Sequence, residues 1–178
     1  MPKKIVITGG PGSGKTTLIS FLLENGFQCQ NEISREVIIE AQREGIDQLF
    51  LSDPILFSQK LLEGRLKQFQ EIHHFEKSHI FYDRGLPDIT AYMDFTNVEY
   101  PNTFKKTCHN NRYDTVFLLP PWKEIYKQDN ERYESFEEAQ KIHDCLLNGY
   151  DQYGYDVIEV PFGTLKDRMQ FITNTLAI

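Results

Sequence analysis

The feature that most restricts the fold of this chain is the segment GGPGSGKT at residues 9–16, which matches the pattern GxxxxGK[ST]. A short β-branched run, Lys3–Thr8, precedes it, and apolar residues at helical spacing follow it from Thr17 to Leu23. A strand, a glycine-rich loop and a helix in this order are typical of a phosphate-binding loop. The sequence therefore predicts a fold built around such a loop.

Each residue type in the loop has a physical reason. Gly9, Gly12 and Gly14 allow positive φ angles, so that successive backbone N–H groups reach phosphate oxygens. The anion then lies at a helix N-terminus, where the free N–H groups and the helix dipole favour negative charge. Lys15 adds a cation for the β- and γ-phosphates, and the Thr16 hydroxyl is a ligand for Mg²⁺. The predicted cofactors are ATP and Mg²⁺, and the predicted nucleotide-binding residues are Gly9, Gly10, Pro11, Gly12, Ser13, Gly14, Lys15, Thr16 and Thr17.

Length and composition indicate one globular domain, residues 1–178. The chain is 40% hydrophobic and 25% charged, and no apolar run approaches the roughly 20 residues of a membrane span. No signal-peptide pattern opens the sequence, which predicts a cytoplasmic protein without a membrane partner. The net charge of -7 disfavours a nucleic-acid partner, because such proteins usually carry a basic surface. The three cysteines lack a CxxC pair, which argues against a disulfide framework and a zinc site.

Strands and helices alternate along the chain. Further strands are predicted at 27–32, 77–83, 115–119 and 157–160, and further helices after Ser34 and Asp53, over 86–95 and 100–110, and after Ser135 and Thr164. This alternation predicts an α/β fold with a five-stranded parallel sheet, right-handed crossovers and helices on both faces. Ligands of such sheets bind beyond the carboxyl ends of the strands.

Asp83 ends the third predicted strand, where its carboxylate can bind Mg²⁺ directly or through water. Arg84 follows at a position where a mechanochemical ATPase would usually have a second acid. The alternative is that Asp83 and Arg84 form only a surface salt bridge. Combined with the glycine loop, the position of Asp83 favours a role in binding metal and phosphate. We predict Thr16 and Asp83 as the metal ligands.

Glu32 and Arg35 lie at the end of the second predicted strand. A carboxylate there can accept the proton of an attacking hydroxyl, and an arginine three residues later can hold a phosphate or a sugar. The alternative for Glu32 is a charge that favours the helix dipole and nothing more. The predicted substrate-binding residues are Glu32, Arg35, Arg84 and Asp88.

The segment PPWKEIYKQDNERYES, residues 120–135, is polar for a connection yet carries aromatic side chains such as Trp122. Lys123, Lys127 and Arg132 can move over a triphosphate, exclude water and stabilise the charge of phosphoryl transfer. The segment is therefore a predicted lid, and Arg132 is a predicted catalytic residue beside Lys15, Asp83 and Glu32. The alternative is a solvated helix whose basic residues only balance its acidic ones.

Four segments of the chain form a recognisable set: GGPGSGKT, Glu32-Ile33-Ser34-Arg35, the run from Tyr82 to Asp88, and Pro121-Trp122 followed by Asp129 and Arg132. Together they resemble the small P-loop ATPases of the AAA-domain and NadR-like group and, more remotely, ribosylnicotinamide kinase and thymidylate kinase. The resemblance implies a three-layer α/β/α sandwich of the nucleoside- and nucleotide-kinase type with a small helical lid.

The same resemblance implies roles for single residues. Lys15 and Thr16 would bind nucleotide and Mg²⁺, and Asp83 would assist the metal. Arg84 would contact the acceptor, and Arg132 would belong to the lid. The glycine loop has the general ATPase form rather than the serine-rich form of ribosylnicotinamide kinases, so the resemblance leaves the acceptor open.

The leading hypothesis is a phosphotransferase that moves the γ-phosphoryl group of Mg-ATP to a small acceptor, such as a nucleoside or a nucleotide. One alternative is a regulatory switch that hydrolyses ATP or GTP slowly and acts on a protein partner. ATP is favoured because residues 110–114, NNRYD, match the guanine-binding element NKxD poorly. Another alternative is a nucleotide-binding scaffold without turnover, in which Asp83 would point away from the phosphates. A kinase requires a second, acceptor-sized pocket beside the phosphate loop, which a switch does not need.

Overall fold

The computed structural model describes residues 2–71, 77–126 and 135–178. The strands in these ranges are β1 (Lys3–Thr8), β2 (Gln28–Gln30), β3 (His79–Asp83), β4 (Thr115–Leu118) and β5 (Val157–Glu159). The helices are α1 (Lys15–Glu24), α2 (Ser34–Arg43), α3 (Leu49–Ser52), α4 (Pro54–Gln70), α5 (Leu86–Phe95), α6 (Asn102–Asn110), α7 (Phe136–Asp151) and α8 (Leu165–Leu176). None of these helices is long and apolar enough to cross a membrane.

The five strands form one parallel sheet in the order β2-β3-β1-β4-β5. The central strand β1 pairs with β3 through Val6 and Tyr82, and with β4 through Val6 and Val116. The carboxyl ends of β1, β3 and β4 therefore meet at one edge of the sheet. The phosphate loop follows β1 at this edge.

Side chains alternate between two apolar layers, as expected for a parallel sheet that is buried on both faces. Ile5 and Ile7 of β1 pack with Leu18 of α1 and Ile172 of α8. Val6, between them in sequence, packs on the opposite face in a cluster with residues of α4, α5 and α7. The predicted α/β fold with helices on both faces of a five-stranded parallel sheet is confirmed.

The observed elements differ most from the predicted ones at β2 and α3. Strand β2 ends at Gln30, which pairs with Tyr82, whereas the pattern predicts a strand to Glu32. The last two residues of the predicted strand lie outside the sheet, and the Glu32 carboxylate there accepts hydrogen bonds from the Ile33 and Ser34 N–H groups. The short helix α3 is not predicted, since its four residues are too few for a helical periodicity.

Candidate functional site

The phosphate loop borders an open cavity of about 280 Å³, lined by residues 10–17 together with Arg84 and Tyr92. Gly12 and Gly14 have φ angles of 72° and 77°, and Gly14 caps α1 in the left-handed conformation. A Cβ atom at Gly12 would overlap the ring of Tyr126, so both conformation and space require glycine there. Gly9 lies at the base of the loop, against Leu119, and does not line the cavity.

Lys15 and Asp83 form an ion pair next to this cavity. The Lys15 Nζ contacts the Asp83 carboxylate, and both side chains are buried. Burial and the neighbouring Arg84 lower the pKa of Lys15, while the contact with Asp83 opposes this shift. Asp83 is therefore directed toward the loop, opposite to the arrangement that the scaffold alternative requires. Asp83 pairs with Lys15 rather than with Arg84. The alternative of a surface salt bridge between Asp83 and Arg84 is therefore not what the structure shows.

The oxygen donors beside the loop suit Mg²⁺. Thr16 lines the cavity with an exposed side chain, and Asp83 contributes a carboxylate at the end of β3. Within the described residues, no group of three or more histidine, cysteine or acidic side chains is placed to hold a metal ion. Mg²⁺ in phosphate sites usually takes only one or two protein ligands and completes its shell with phosphate and water. Thr16 and Asp83 fit such a site.

The Glu32 carboxylate lies between two arginine side chains. Arg65 Nη2 donates to Glu32 Oε1 at 2.8 Å and to Oε2 at 3.0 Å, and Arg84 Nε lies 2.7 Å from Oε2. The backbone N–H groups of Ile33 and Ser34 also donate to Oε1. Burial alone would raise the pKa of Glu32, but Arg65 and Arg84 outweigh it and lower the pKa to about 2. Glu32 is thus an ionised hydrogen-bond acceptor at neutral pH.

Arg84 adopts a φ angle of 73° directly after β3. This conformation is unfavourable for a residue with a Cβ atom, and such strain is concentrated at functional sites. Three contacts hold the side chain in addition to Glu32: Nη1 lies 3.3 Å from Asp88 Oδ1 and 3.3 Å from Tyr92 Oη, and the guanidinium lies over the Tyr92 ring. The strained turn therefore places a fixed cation beside the loop.

Asp88 lies beneath Arg84 and is fully buried. Its Oδ2 accepts hydrogen bonds from the Gly85 backbone N–H at 2.8 Å and from the Tyr150 hydroxyl, and its Oδ1 accepts from the Thr8 hydroxyl. Both carboxylate oxygens are thus bonded to protein donors. Asp88 therefore stabilises the position of the Arg84 side chain. A contact between Asp88 and a substrate stays a prediction.

A second cavity of about 360 Å³ lies beside the phosphate cavity and shares Arg84 and Tyr92 with it. One end carries Glu32, Arg65, Arg84 and Asp88. The rest of the wall is mainly apolar and aromatic, with Phe50, Phe57, Leu61, Ile89, Met93 and Val98. Arg35 lies on α2 with an exposed side chain and is not part of this wall. Three of the four predicted substrate-binding residues therefore meet at one cavity.

A third cavity of about 390 Å³ lies on the other side of the loop. Its wall includes Gly12, Gly14, Trp122, Thr164 and Arg168. The Trp122 ring stacks on Phe162 with centroids 5.3 Å apart. This cavity joins the start of the predicted lid to the loop that precedes α8.

Only part of the predicted lid lies within the described residues. Trp122 N donates to Gly12 O at 3.3 Å, and Tyr126 packs against Gly12 and Phe136. The segment thus starts in contact with the phosphate loop. Lys127 and the predicted catalytic residue Arg132 lie outside the described residues, so their part in a lid stays a prediction.

Sequence reasoning missed Arg65 and Arg168, which are both almost fully buried. A signal for each is present in the sequence. Arg65 interrupts the apolar face of α4 formed by Leu61, Leu62 and Phe69, and Arg168 stands one turn before the buried Ile172 of α8. An arginine within an apolar helical stripe must have buried partners, because an unpaired buried charge is unfavourable.

A family model described as an AAA domain matches residues 4–168, which is most of the chain. No curated protein matches the sequence.

Two solved proteins share the fold. Deoxyadenosine kinase from M. mycoides, solved with the products dCMP and a flexible dCDP, has a TM-score of 0.69 and 20% identity, with 98% of each chain covered. A second structure of that kinase contains dATP. NadR protein in complex with NR has a TM-score of 0.73 and 18% identity, and the match covers 99% of this chain and 51% of NadR. The chain thus corresponds to about half of NadR and has the fold of P-loop nucleoside kinases.

Proposed function

Since the chain belongs to the AAA-domain family, and since it is a small P-loop NTPase related in fold to nucleoside kinases, we propose that it is a small-molecule kinase. The reaction is transfer of the γ-phosphoryl group of ATP to a hydroxyl group of a nucleoside-like acceptor. The observation that carries the proposal is the pair of adjoining cavities that share Arg84 and Tyr92. A phosphotransferase needs this arrangement, whereas a hydrolytic switch needs only the phosphate cavity.

The shape of the second cavity supports an acceptor of nucleoside size. A volume of about 360 Å³ lies within the usual range of small-molecule sites. Its apolar part suits a flat ring. Phe50 and Phe57, whose rings pack edge to face with centroids 6.2 Å apart, supply aromatic surface there. Its charged end adjoins the phosphate loop. An acceptor oriented by these two ends would present its polar group to the donor phosphate.

The charges of this cavity favour a hydroxyl acceptor over a phosphate acceptor. In the described part of its wall, the cations are Arg65 and Arg84, and both pair with the Glu32 carboxylate. A phosphate acceptor would bring further negative charge toward Glu32 and would have to compete for these cations. A hydroxyl adds no negative charge, and Glu32 Oε2, which the two arginines also contact, is the acceptor proposed for its hydrogen bond.

The residues where the phosphate cavity meets the second cavity have different roles in the proposed reaction. Lys15 and the loop N–H groups hold the transferred phosphoryl group and its neighbour, and Arg84 faces both cavities. Glu32, with a pKa of about 2, orients the hydroxyl rather than removing its proton early, which a loose phosphoryl-transfer reaction does not require. Thr16 and Asp83 would hold Mg²⁺, which offsets the negative charge of the phosphates when bound.

The third cavity is suited to the base of the donor nucleotide. It adjoins the phosphate loop at Gly12 and Gly14 on the side of the loop away from the acceptor. The Trp122 ring and the aliphatic Leu165 supply apolar surface for a planar base. A donor bound there would run its phosphates along the loop toward Arg84.

The test is ADP release from Mg-ATP in the presence of a panel of nucleosides, ribosylnicotinamide and the matching nucleoside monophosphates. We expect at least one nucleoside-like compound to raise turnover above the basal rate and the monophosphates to have no such effect. A basal rate that no compound changes would contradict the kinase and would favour the ATP-hydrolysing switch.

Lys15→Ala tests the nucleotide site itself. The substitution removes a charge-assisted contact to phosphate, so we expect ATP affinity to fall roughly 10- to 100-fold. Lys3→Ala, at the exposed start of β1, is the matched control and should bind ATP like the wild type. Isothermal titration calorimetry measures both, and equal affinities in the two variants would count against the site.

A further inference from the structure

Arg168 lies on α8 beneath the phosphate loop and is 2% exposed. Its Nη1 and Nη2 atoms each donate a hydrogen bond of 3.1 Å to the backbone carbonyl oxygen of Ser13. Its guanidinium carbon also lies 5.9 Å from the centre of the Trp122 ring. The Arg168 side chain of the last helix thus binds the backbone of the phosphate loop from the side of α8.

Among the described residues, this guanidinium has no carboxylate partner, although it is a buried cation. In ranges 2–71, 77–126 and 135–178, none of the ion pairs includes Arg168, and its Nε atom is buried without a hydrogen-bond partner. A buried charge held in this way is costly, and an apolar side chain of similar size often gives a more stable protein. Stability alone therefore does not account for an arginine at this position.

The geometry of the peptide unit between Ser13 and Gly14 gives a reason for an arginine at position 168. The peptide bonds of the described residues include no cis bond. In a trans unit, the C=O and N–H groups point in opposite directions. The Ser13 carbonyl and the Gly14 N–H belong to the same unit, so a cation that holds the carbonyl toward α8 turns the N–H away from α8. It also polarises the unit and strengthens the N–H group as a donor.

We propose that Arg168 is a positioning residue for phosphate binding, acting through the Ser13–Gly14 peptide unit to direct the Gly14 N–H into the phosphate cavity. The inference rests on the proposed function, because it needs an anion at the loop. Gly14 lines the phosphate cavity, and a Cβ atom at Gly14 would lie 3.1 Å from Arg168 Nη1. Glycine at this position and arginine at 168 are therefore fitted to each other.

The first experiment measures the dissociation constants of Mg-ATP and of inorganic tripolyphosphate by isothermal titration calorimetry. In Arg168→Met, which removes both hydrogen bonds and the charge, we expect both dissociation constants to rise about tenfold, as for one weakened charge-assisted hydrogen bond. Arg168→Lys keeps the charge but not the forked pair, so its loss should be smaller. Arg43→Met, at the exposed end of α2, is the matched control and should bind like the wild type.

The second experiment observes the Gly14 amide directly by ¹H–¹⁵N correlation NMR. In the wild type, we expect the Gly14 amide proton to move downfield when tripolyphosphate is added, because it donates to a phosphate oxygen. In Arg168→Met, the movement should be clearly smaller. A merely structural role of Arg168 would lower the melting temperature without changing this response.

The outcomes separate the inference from the proposed function. A wild type that binds neither probe overturns both. Wild-type binding together with an unchanged affinity and an unchanged Gly14 response in folded Arg168→Met overturns the inference alone. If that variant does not fold, Arg168→Lys is measured in its place, and wild-type values for affinity and Gly14 response there also overturn the inference.

Discussion

At the scale of single residues, the Glu32 carboxylate shows how a local charge acquires its role from distant partners. Its neighbours in sequence supply two backbone N–H groups, which is the helix-start interaction expected of an acid at that position. Arg65 and Arg84 add the contacts that keep it ionised and place it at a cavity wall. Its contacts therefore include the helix-start interaction, while the other interpretation, in which Glu32 accepts the proton of an attacking hydroxyl, stays a prediction.

The low pKa of Glu32 predicts a specific dependence of stability on pH. Its pKa is about 2 in the folded protein, against an ordinary value of 4.5, so the ionised group stabilises the fold above about pH 4.5. This contribution is lost as pH falls from 4.5 toward 2. We expect Glu32→Gln to lower the free energy of unfolding by about 3 kcal/mol at neutral pH, and less as the pH falls. Urea unfolding followed by circular dichroism across this range measures the difference.

Glu36→Gln is the control for this measurement. Glu36 lies on the same helix with an exposed side chain. We expect its replacement to leave the acid side of the stability curve unchanged. A difference between wild type and Glu32→Gln that stays constant down to the acid limit would contradict the assignment of the low pKa to Glu32.

At the scale of elements, helix starts follow from local sequence while helix contacts do not. The predicted capping box of α7 is present: Ser135 N donates to Glu138 Oε2 at 2.7 Å, and Glu138 N donates to Ser135 Oγ at 3.2 Å. The close approach of α7 to α5 instead depends on a residue without a side chain, Gly149. The need for glycine at position 149 is visible only in the packed structure, where Ala91 of α5 lies against it.

Gly149→Ala tests this contact between α5 and α7. The added Cβ atom would lie 2.7 Å from the Cβ of Ala91, so the helices must separate, at a cost of roughly 1–3 kcal/mol. Adding Ala91→Gly removes the colliding methyl group. A double-mutant cycle by urea unfolding should therefore give a favourable coupling energy, and additive effects would show that the helices do not meet there.

At the scale of the whole molecule, the phosphate cavity shares wall residues with two other cavities. The acceptor-side cavity and the phosphate cavity meet at Arg84, and the third cavity lies beyond Gly12 and Gly14. Trp122 belongs to the third cavity and is the single tryptophan of the chain. The intrinsic fluorescence of the protein therefore reports on one defined place.

This arrangement predicts a fluorescence response to nucleotide. If the donor base enters the third cavity, it removes water from the Trp122 ring, and the emission maximum should shift to shorter wavelength as Mg-ATP is added. Inorganic tripolyphosphate, which has no base, should bind with a smaller shift. The same titration of Lys15→Ala should need roughly 10- to 100-fold more Mg-ATP to reach the same shift. Equal shifts with the two ligands would place the base elsewhere.

The sequence alone determined the parts of this protein that depend on neighbouring residues. The alternation of strands and helices, the glycine loop with its following helix, and the start of α7 all follow from spacing within a few residues. The same reasoning predicted that Glu32, Arg84 and Asp88 lie near the loop, because the carboxyl ends of parallel strands share one edge of the sheet.

Tertiary structure decided the order of the strands and the pairing of buried charges. Arg65 reaches Glu32 across 33 positions of sequence, and Arg168 reaches Ser13 across 155. No local pattern specifies such a partner, because it depends on which helix packs over which strand. The exposed position of Arg35 has the same origin, since the turn of α2 directs Val37 to the apolar core and Arg35 to solvent. Packing, rather than spacing, therefore decided which charged residues of the site pair with one another.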